Sequence, residues 1–198
     1  MIAQGKTILV ICEGYSEAAY LQELNRLFRE MEIAVVFHPC VCGNGFYGNV
    51  AARYRHERQK NRRSPIYIWV DWDLYARNER RNLDNYSNRP SGIPAFCFSR
   101  QNFEDFLATH LDAEQLGEWI AICRQRHHWE VPLHSAEYLE LFKTQLFADY
   151  QKGALPFELS PEMLRQMLEN QNIHDCPAHC EFAEVIRRAV EASAQRPS

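Results

Sequence analysis

The chain has 198 residues, of which 46% are hydrophobic and 24% are charged, and its formal net charge is −4. This balance is typical of a folded, water-soluble protein and excludes a disordered or fibrous chain. The length fits one core domain with a smaller appendage and excludes large multi-domain enzymes. Seven cysteines, an odd number scattered along the chain, predict reduced thiols and a cytoplasmic location.

Neither a membrane span nor a secretion signal is expected. The longest strongly apolar stretches cover residues 8–12 and 66–70, far short of the roughly 20 residues that cross a bilayer. The first residues do not show the basic segment and apolar run of a signal peptide. We therefore expect no membrane partner.

Charge is distributed unevenly along the chain. Residues 53–100 contain eleven Lys or Arg against five Asp or Glu, a net charge of +6. Residues 101–198 contain eight basic and sixteen acidic side chains, a net charge of −8. A basic central segment is therefore joined to an acidic carboxyl-terminal part.

Apolar runs and turn signals predict alternating strands and helices in the first half of the chain. One helix is predicted from an N-cap at Ser16 to about Met31, and another from about residue 50 to 60, after a glycine-rich loop at 43–49. Strands that alternate with helices imply a parallel, Rossmann-like sheet flanked by helices. The strands are predicted at residues 7–12, 33–37, 66–70 and 95–98.

The second half of the chain is predicted to be helical throughout. This pattern divides the protein into an α/β domain at 1–112 and a helical extension at 113–198 that packs on the core. The extension would cover one side of the sheet, bind a partner protein or form a homo-oligomer, and the pattern does not choose among these roles. Its helices are predicted at residues 113–127, 135–152, 160–170 and 180–194.

Acidic side chains follow three of the four predicted strands. Glu13 comes after the first strand, Asp71 and Asp73 follow the third, and Glu104 and Asp105 lie just past the fourth. In parallel sheets the carboxyl ends of the strands form the functional crevice. In an extended segment, the spacing of Asp71 and Asp73 places both carboxylates on one side, where they can share one Mg²⁺ ion. Such acids are also common as solvated loop residues or helix caps, but Glu13 at a separate strand end favours the metal site.

Two segments of the chain, at 8–17 and 68–73, together resemble the TOPRIM pattern. In this pattern one strand ends in Glu-Gly, here Glu13-Gly14, and a later strand ends in Asp-x-Asp. Residues 12–21 and 98–107 further resemble the RloB-like group, and the resemblance covers about residues 6–110. TOPRIM domains, which include topoisomerases and the overcoming-lysogenization-defect nucleases, are α/β folds that bind Mg²⁺ for phosphoryl-transfer chemistry on nucleic acids.

The resemblance implies a nuclease of bacterial phage defence that depends on Mg²⁺ or Mn²⁺ and acts on DNA or RNA. Asp71 and Asp73 would hold the metal ion, and Glu13 would either share the ion or act as a general acid or base. Glu104 would complete the metal cluster, or serve only as an acid in the first turn of a helix. Glu17 is assigned to a first helical turn rather than to the metal.

The basic segment fits a nucleic-acid partner. Its first group is interleaved with Tyr54 and His56 and would follow a line of phosphates, and its second group comes directly after the Asp-x-Asp turn. The alternatives are a solvated helix face and a charged loop. The candidate contacts are Arg53, Arg55, Arg58, Lys60, Arg62, Arg63, Arg77, Arg80 and Arg81, with Arg89 beyond them.

Three other interpretations stay open from the sequence. The first is a non-catalytic TOPRIM relative that binds nucleic acid or a partner protein in a defence complex. The second is a nucleotide-binding protein of flavodoxin-like shape, whose binding would not need the carboxylates. The third is a structural zinc site, although the spacing of its ligands matches no common zinc finger. The possible zinc ligands are His38, Cys40 and Cys42 in one group, and His174, Cys176, His179 and Cys180 in the other.

Overall fold

The computed structural model describes residues 6–128, 133, 135–173 and 178–194. Its strands are β1 (Lys6–Cys12), β2 (Val35–Val41), β3 (Ile66–Asp71) and β4 (Cys97–Ser99). They form one sheet in the order β2-β1-β3-β4, in which every neighbouring pair is parallel. The expected parallel α/β sheet is therefore confirmed, and the carboxyl ends of its strands share one edge.

The second and fourth strands differ from the prediction. β2 begins two residues later than expected and continues through Pro39 to Val41. It lies at an edge of the sheet and pairs within the described chain only with β1, which is the position where a strand tolerates the missing N–H of proline. β4 is a three-residue strand that begins at Cys97 rather than at residue 95.

Helices connect the strands in the first half of the chain. Helix α1 begins at Tyr15 with Gly14 at its N-cap, so the expected cap at Ser16 is wrong. Helix α2 begins earlier than predicted, and Gly48 lies in its first turn rather than in a loop. The helices are α1 (Tyr15–Glu30), α2 (Tyr47–Lys60), α3 (Asp73–Ala76), α4 (Asn82–Ser87) and α5 (Phe103–Ala108), with a single 3-10 turn at Glu79–Arg81.

The extension contains four described helices, as predicted, and one of them ends seven residues earlier than expected. The predicted helix to Lys152 ends at Gln145, because the following segment turns Tyr150 into the core and adopts a left-handed conformation at Gly153, with φ of +90°. Among the described segments, no helix combines the length and the apolar character needed to cross a bilayer. The four helices are α6 (Ala113–Gln125), α7 (Ser135–Gln145), α8 (Pro161–Asn170) and α9 (Phe182–Ala194).

Both faces of the sheet are buried, and the side chains of β1 alternate between two apolar cores. Ile8 and Val10 belong to the core shared with α1, α5 and the extension, whereas Leu9 and Ile11 belong to the core beneath α2. This two-sided burial explains why β1 is an unbroken apolar run. The extension therefore covers one face of the sheet, which is the first of the three roles left open by the sequence.

A buried carboxylate ties the extension to the α/β part of the fold. Asp105 on α5 is only 1% exposed, and its two oxygens contact three side chains of the extension. Trp119 Nε1 and Tyr138 Oη donate to Oδ1 at 3.1 and 2.7 Å, and His128 Nε2 lies 3.1 Å from Oδ2. Because Asp105 follows Glu104 directly, this network fixes the extension next to the carboxyl edge of the sheet.

Candidate metal centre

Three carboxylates meet at the carboxyl edge of the sheet. Glu13 follows β1, Asp71 is the last residue of β3, and Glu17 lies in the first turn of α1. One oxygen from each side chain lies within 4.8 Å of the others. We call Glu13, Glu17 and Asp71 the carboxylate cluster. The parallel order of β1 and β3 produces it, because adjacent parallel strands end side by side.

Glu13 fits into its place only because residue 45 is a glycine. A Cβ atom at position 45 would lie 2.3 Å from Oε2 of Glu13, which is closer than real Cβ contacts allow. Burial, followed by the negative charges of Glu17 and Asp73, raises the pKa of Glu13 to about 8. The backbone N–H of Asp71 donates to Oε2 at 3.5 Å and opposes part of this shift.

Asp71 is the carboxylate least satisfied by the protein. Its Oδ1 atom is buried and accepts no hydrogen bond from the described residues. Burial, followed by the charges of Glu13 and Glu17, raises its pKa well above the usual value. A buried anionic oxygen without a donor is costly, and a bound cation removes that cost.

Glu17 joins the cluster, although the sequence assigned it only to the first turn of a helix. Its side chain has both roles. The carboxylate accepts a hydrogen bond from Gly14 N at 3.2 Å in the first turn of the helix, and it also lies close to the carboxylates of Glu13 and Asp71. Burial raises the pKa of Glu17 to about 7. The sequence signal was its position three residues after Gly14, because a helix that starts directly after β1 brings its first turn to the same edge.

Asp73 does not share the geometry of Asp71. The prediction placed both side chains on one extended segment, but Trp72 has a helical backbone conformation and α3 begins at Asp73. It accepts hydrogen bonds from Leu74 N at 2.6 Å and from Arg77 at 2.8 Å. Burial raises the pKa of Asp73, while the charge of Arg77 opposes the rise. Asp73 still lines a cavity with Glu13 and Asp71.

Glu104 stands beside the carboxylate cluster and is linked to the extension. Its Oε1 atom accepts a hydrogen bond from Tyr150 Oη at 3.3 Å, and the side chain is buried. Burial raises the pKa of Glu104, and the charge of Lys152 opposes the rise. Both sequence alternatives for Glu104 are compatible with this place, because it lies in the first turn of α5 and also lines the cavity of the cluster.

A cavity of about 280 Å³ opens onto the carboxylate cluster. Lys152, from the loop after α7, is a cation at its wall, and the sequence did not identify it. The loop is held by Gly153, whose N–H donates to Ser16 Oγ at 3.0 Å. We call this space the acidic cavity; it is lined by Glu13, Gly14, Tyr15, Ser16, Glu17, Asp71, Phe103, Glu104, Lys152 and Gly153.

The residues present fit a divalent cation. The cluster offers only carboxylate oxygens, which are the ligands that Mg²⁺ and Mn²⁺ prefer. Three carboxylates at this separation repel one another, and burial strengthens the repulsion. The buried oxygen of Asp71, which has no hydrogen-bond donor among the described residues, is a second observation that favours a bound cation. Glu13, Glu17 and Asp71 would therefore hold the ion, with Glu104 and Asp73 beside them.

The predicted basic residues are not brought to one place. Helix α2 has 14 residues and a length of about 21 Å, and it runs from the carboxyl edge back to the amino edge of the sheet. Its end, with Lys60, Arg62 and Arg63, therefore lies at the edge opposite the carboxylate cluster. Arg53 pairs with Glu57 at 3.1 Å, Arg58 donates to backbone carbonyls after α2, and Arg55 is exposed along the helix.

The second basic group lies near the site on an unusual turn. Asn78, Arg80 and Arg81 adopt left-handed backbone conformations, with φ of 48°, 50° and 60°, which cost free energy in residues other than glycine. The guanidinium of Arg80 lies over the ring of Phe46, 4.2 Å from its centroid. Arg81 is exposed and pairs with Asp84, whereas Arg77 is committed to Asp73 and Glu79.

The zinc interpretation finds no support among the described side chains. Within those parts of the chain, the carboxylate cluster is the one group of His, Cys, Asp or Glu close enough to share an ion. Cys40 and Cys180 are buried in the apolar cores, and Cys42 donates to the carbonyl of Cys12 at 3.2 Å. His174 and Cys176 lie outside the described residues.

Comparison of the chain with models of protein families, with curated proteins and with solved structures finds no match. The fold and the site themselves define an α/β protein with a four-stranded parallel sheet and a carboxylate cluster at its carboxyl edge.

Proposed function

We propose that this protein is a phosphodiesterase of the TOPRIM, RloB-like kind that uses Mg²⁺ or Mn²⁺ to cleave nucleic acid. The observation that carries the proposal is the carboxylate cluster with the unpartnered oxygen of Asp71, at the edge of the sheet where α/β enzymes place their sites. The strand ends that form the cluster carry the Glu-Gly and Asp-x-Asp elements of the resemblance. A role of the protein in phage defence is part of the same proposal.

Glu13, Glu17 and Asp71 would hold the metal ion, which when bound supplies positive charge to a phosphate oxygen and lowers the pKa of a water molecule. The chain's own residues do the remaining work. The pKa of Glu13 is about 8 in the metal-free protein, and a bound cation would lower it and keep the carboxylate ionised as a ligand. If Glu13 does not contact the ion, it suits a general acid or base. Lys152 places an ammonium group at the wall of the acidic cavity, where the charge of a phosphodiester would lie.

The basic residues near the carboxylate cluster also favour a polymeric substrate with several phosphates. The turn that carries Arg80 and Arg81, both exposed, follows α3, whose first residue Asp73 lines a neighbouring cavity with Glu13 and Asp71. A nucleic-acid strand bound across both cavities could place a phosphate near these guanidinium groups. Positive charge next to a metal site strengthens the binding of phosphates along the chain.

The ion pair of Asp73 with Arg77 favours a second candidate, a non-catalytic relative that binds nucleic acid or a partner protein. In this arrangement the second carboxylate of the Asp-x-Asp element is engaged by a guanidinium at 2.8 Å. If the reaction needs Asp73 as a further metal ligand, this ion pair would leave a surface that binds phosphates without cleaving them. The two candidates differ in one measurable property, which is metal-dependent cleavage.

The test is cleavage of labelled single-stranded and double-stranded DNA and RNA with Mg²⁺, with Mn²⁺ and with EDTA. The wild type is compared with Asp71→Asn and Glu13→Gln, and Glu114→Gln on the exposed side of α6 is the matched control. We expect metal-dependent cleavage by the wild type and the control, and its loss in both cluster variants. Retained binding without cleavage by the wild type would support the non-catalytic candidate instead.

A further inference from the structure

Tyr15 is an aromatic side chain that the fold leaves in water. It is 75% exposed, and no ring contact or hydrogen bond of its side chain occurs among the described residues. Other tyrosines of the chain, among them Tyr20, Tyr75 and Tyr150, are buried in the cores. Single exposed apolar side chains are common on protein surfaces, so only the place of the ring distinguishes Tyr15.

The place of Tyr15 connects it to the carboxylate cluster. It is the first residue of α1 and lies between Glu13 and Glu17 in the chain, and it lines the acidic cavity together with both. The loop of Lys152 passes close to the base of this side chain, because a Cβ on Gly153 would lie 3.8 Å from the Cβ of Tyr15. An extended ligand in the cavity would therefore pass the exposed ring.

We propose that Tyr15 is a stacking platform for one nucleobase of the substrate, next to the phosphate that enters the carboxylate cluster. The inference rests on the proposed function and adds the class of substrate. A base stacks on a protein side chain only after it leaves its neighbours in a duplex, and single-stranded nucleic acid offers such bases without an unpairing cost. The structure thus assigns this site to single-stranded or locally unpaired nucleic acid.

The ring is suited to this role by its chemistry as well as its place. Every base has a π face, so stacking on tyrosine tolerates any sequence. Tyr15 also carries no charge, and its contribution to binding therefore releases no counterions. This property separates Tyr15 from Arg80 and Arg81, whose contribution to affinity would weaken as salt rises.

The experiment measures binding of short single-stranded oligonucleotides by fluorescence anisotropy, with Ca²⁺ in place of Mg²⁺ to suppress cleavage. Each oligonucleotide is compared with copies that carry one abasic nucleotide and with the fully paired duplex. The variants are Tyr15→Leu, which removes the π face, and Tyr15→Phe, which keeps it. Val36→Ala is the matched control, because Val36 is an exposed apolar residue near the amino end of the sheet.

We expect Tyr15→Leu to weaken binding of the single strand about tenfold, with an unchanged slope of affinity against salt, and Tyr15→Phe and Val36→Ala to bind as the wild type does. One abasic position should produce the same loss in the wild type and no further loss in Tyr15→Leu. Equal binding of the single strand by Tyr15→Leu and the wild type would overturn the inference.

The behaviour of the wild type separates a failure of this inference from a failure of the proposed function. If the wild type binds and cleaves nucleic acid while Tyr15→Leu is indistinguishable from it, only the stacking site is refuted. If the wild type neither binds nor cleaves any of these oligonucleotides, the proposed function fails, and the stacking site fails with it. A preference of the wild type for the fully paired duplex would also overturn the assignment to single strands.

Discussion

Gly45 and Glu13 are in close contact: a Cβ added at position 45 would lie 2.3 Å from Glu13 Oε2, so the carboxylate would have to move. We therefore expect Gly45→Ala to displace the Glu13 carboxylate and weaken metal affinity about tenfold or more. Calorimetric titration with Mn²⁺ measures this loss. Gly48→Ala is the matched control, because nothing lies within 4 Å of a Cβ at that position. Equal losses in the two variants would show that the contact with Glu13 does not matter.

The carboxylate cluster makes the metal-free protein less stable as pH rises. The unfolded glutamates titrate near 4.5, whereas the folded pKa values of Glu13 and Glu17 are about 8 and about 7. Between these values the folded state holds protons that the unfolded state has released, so this contribution to stability is lost between about pH 5 and about pH 8. Mg²⁺ favours the ionised carboxylates, and we expect it to restore Tm most strongly at the upper end of this range.

Thermal unfolding in EDTA, followed by circular dichroism across this range, measures the effect. Burial lowers the pKa of His110 to about 4, which favours the folded state as pH rises toward 6.5 and opposes the carboxylates there. The informative quantity is therefore the difference between the wild type and a Glu13→Gln, Glu17→Gln variant, whose stability we expect to fall less with pH. A difference that stays constant over the range would contradict the prediction.

Asp105 is expected to be a main anchor of the extension. Replacing it with alanine leaves Trp119, Tyr138 and His128 without their shared acceptor in a buried place, and we expect a loss of about 3 kcal/mol in the free energy of unfolding. Urea unfolding measures this loss. Asp112→Ala removes an exposed N-cap of α6 and should cost only about 1 kcal/mol. Similar losses for the two variants would argue against the anchoring role.

The two groups of basic residues should differ in their contribution to nucleic-acid binding. Arg80 and Arg81 lie on the turn after α3, near the carboxylate cluster, whereas Arg62 and Arg63 precede β3 at the opposite edge of the sheet. We expect Arg80→Ala with Arg81→Ala to weaken binding and to reduce the salt dependence by about two phosphate contacts. Arg62→Ala with Arg63→Ala should leave both unchanged. Anisotropy titrations at several salt concentrations compare the two pairs. A larger loss of affinity in the Arg62, Arg63 variant would show that the nucleic acid binds away from the carboxylate cluster.

The sequence predicted those parts of the site that depend on strand ends. Glu13 and Asp71 follow β-branched apolar runs, and two parallel strands that are neighbours in a sheet bring their carboxyl ends together. The alternation of strands and helices predicted the shared edge, because it depends on order along the chain and not on exact boundaries; that β1 and β3 are neighbours comes from the structure. The expected sheet and the closeness of these two carboxylates are both present.

The parts that the sequence did not predict depend on local turns or on distant segments. Asp73 was assigned to an extended segment, but a helix begins there and turns its carboxylate toward Arg77. Lys152 and Tyr150 reach the site only because the chain leaves α7 at Gln145 and returns to α1 through the turn at Gly153. The spacing of apolar residues along the chain does not predict such contacts, since they join residues more than 40 positions apart.

Binding of Mn²⁺, followed by electron paramagnetic resonance, tests most directly the central claim that Glu13, Glu17 and Asp71 hold a divalent cation. We predict that the wild type binds Mn²⁺, that Mg²⁺ displaces it, and that Asp71→Asn weakens the affinity about tenfold or more. Equal Mn²⁺ affinity of the wild type and Asp71→Asn, or no binding by the wild type, would contradict the claim.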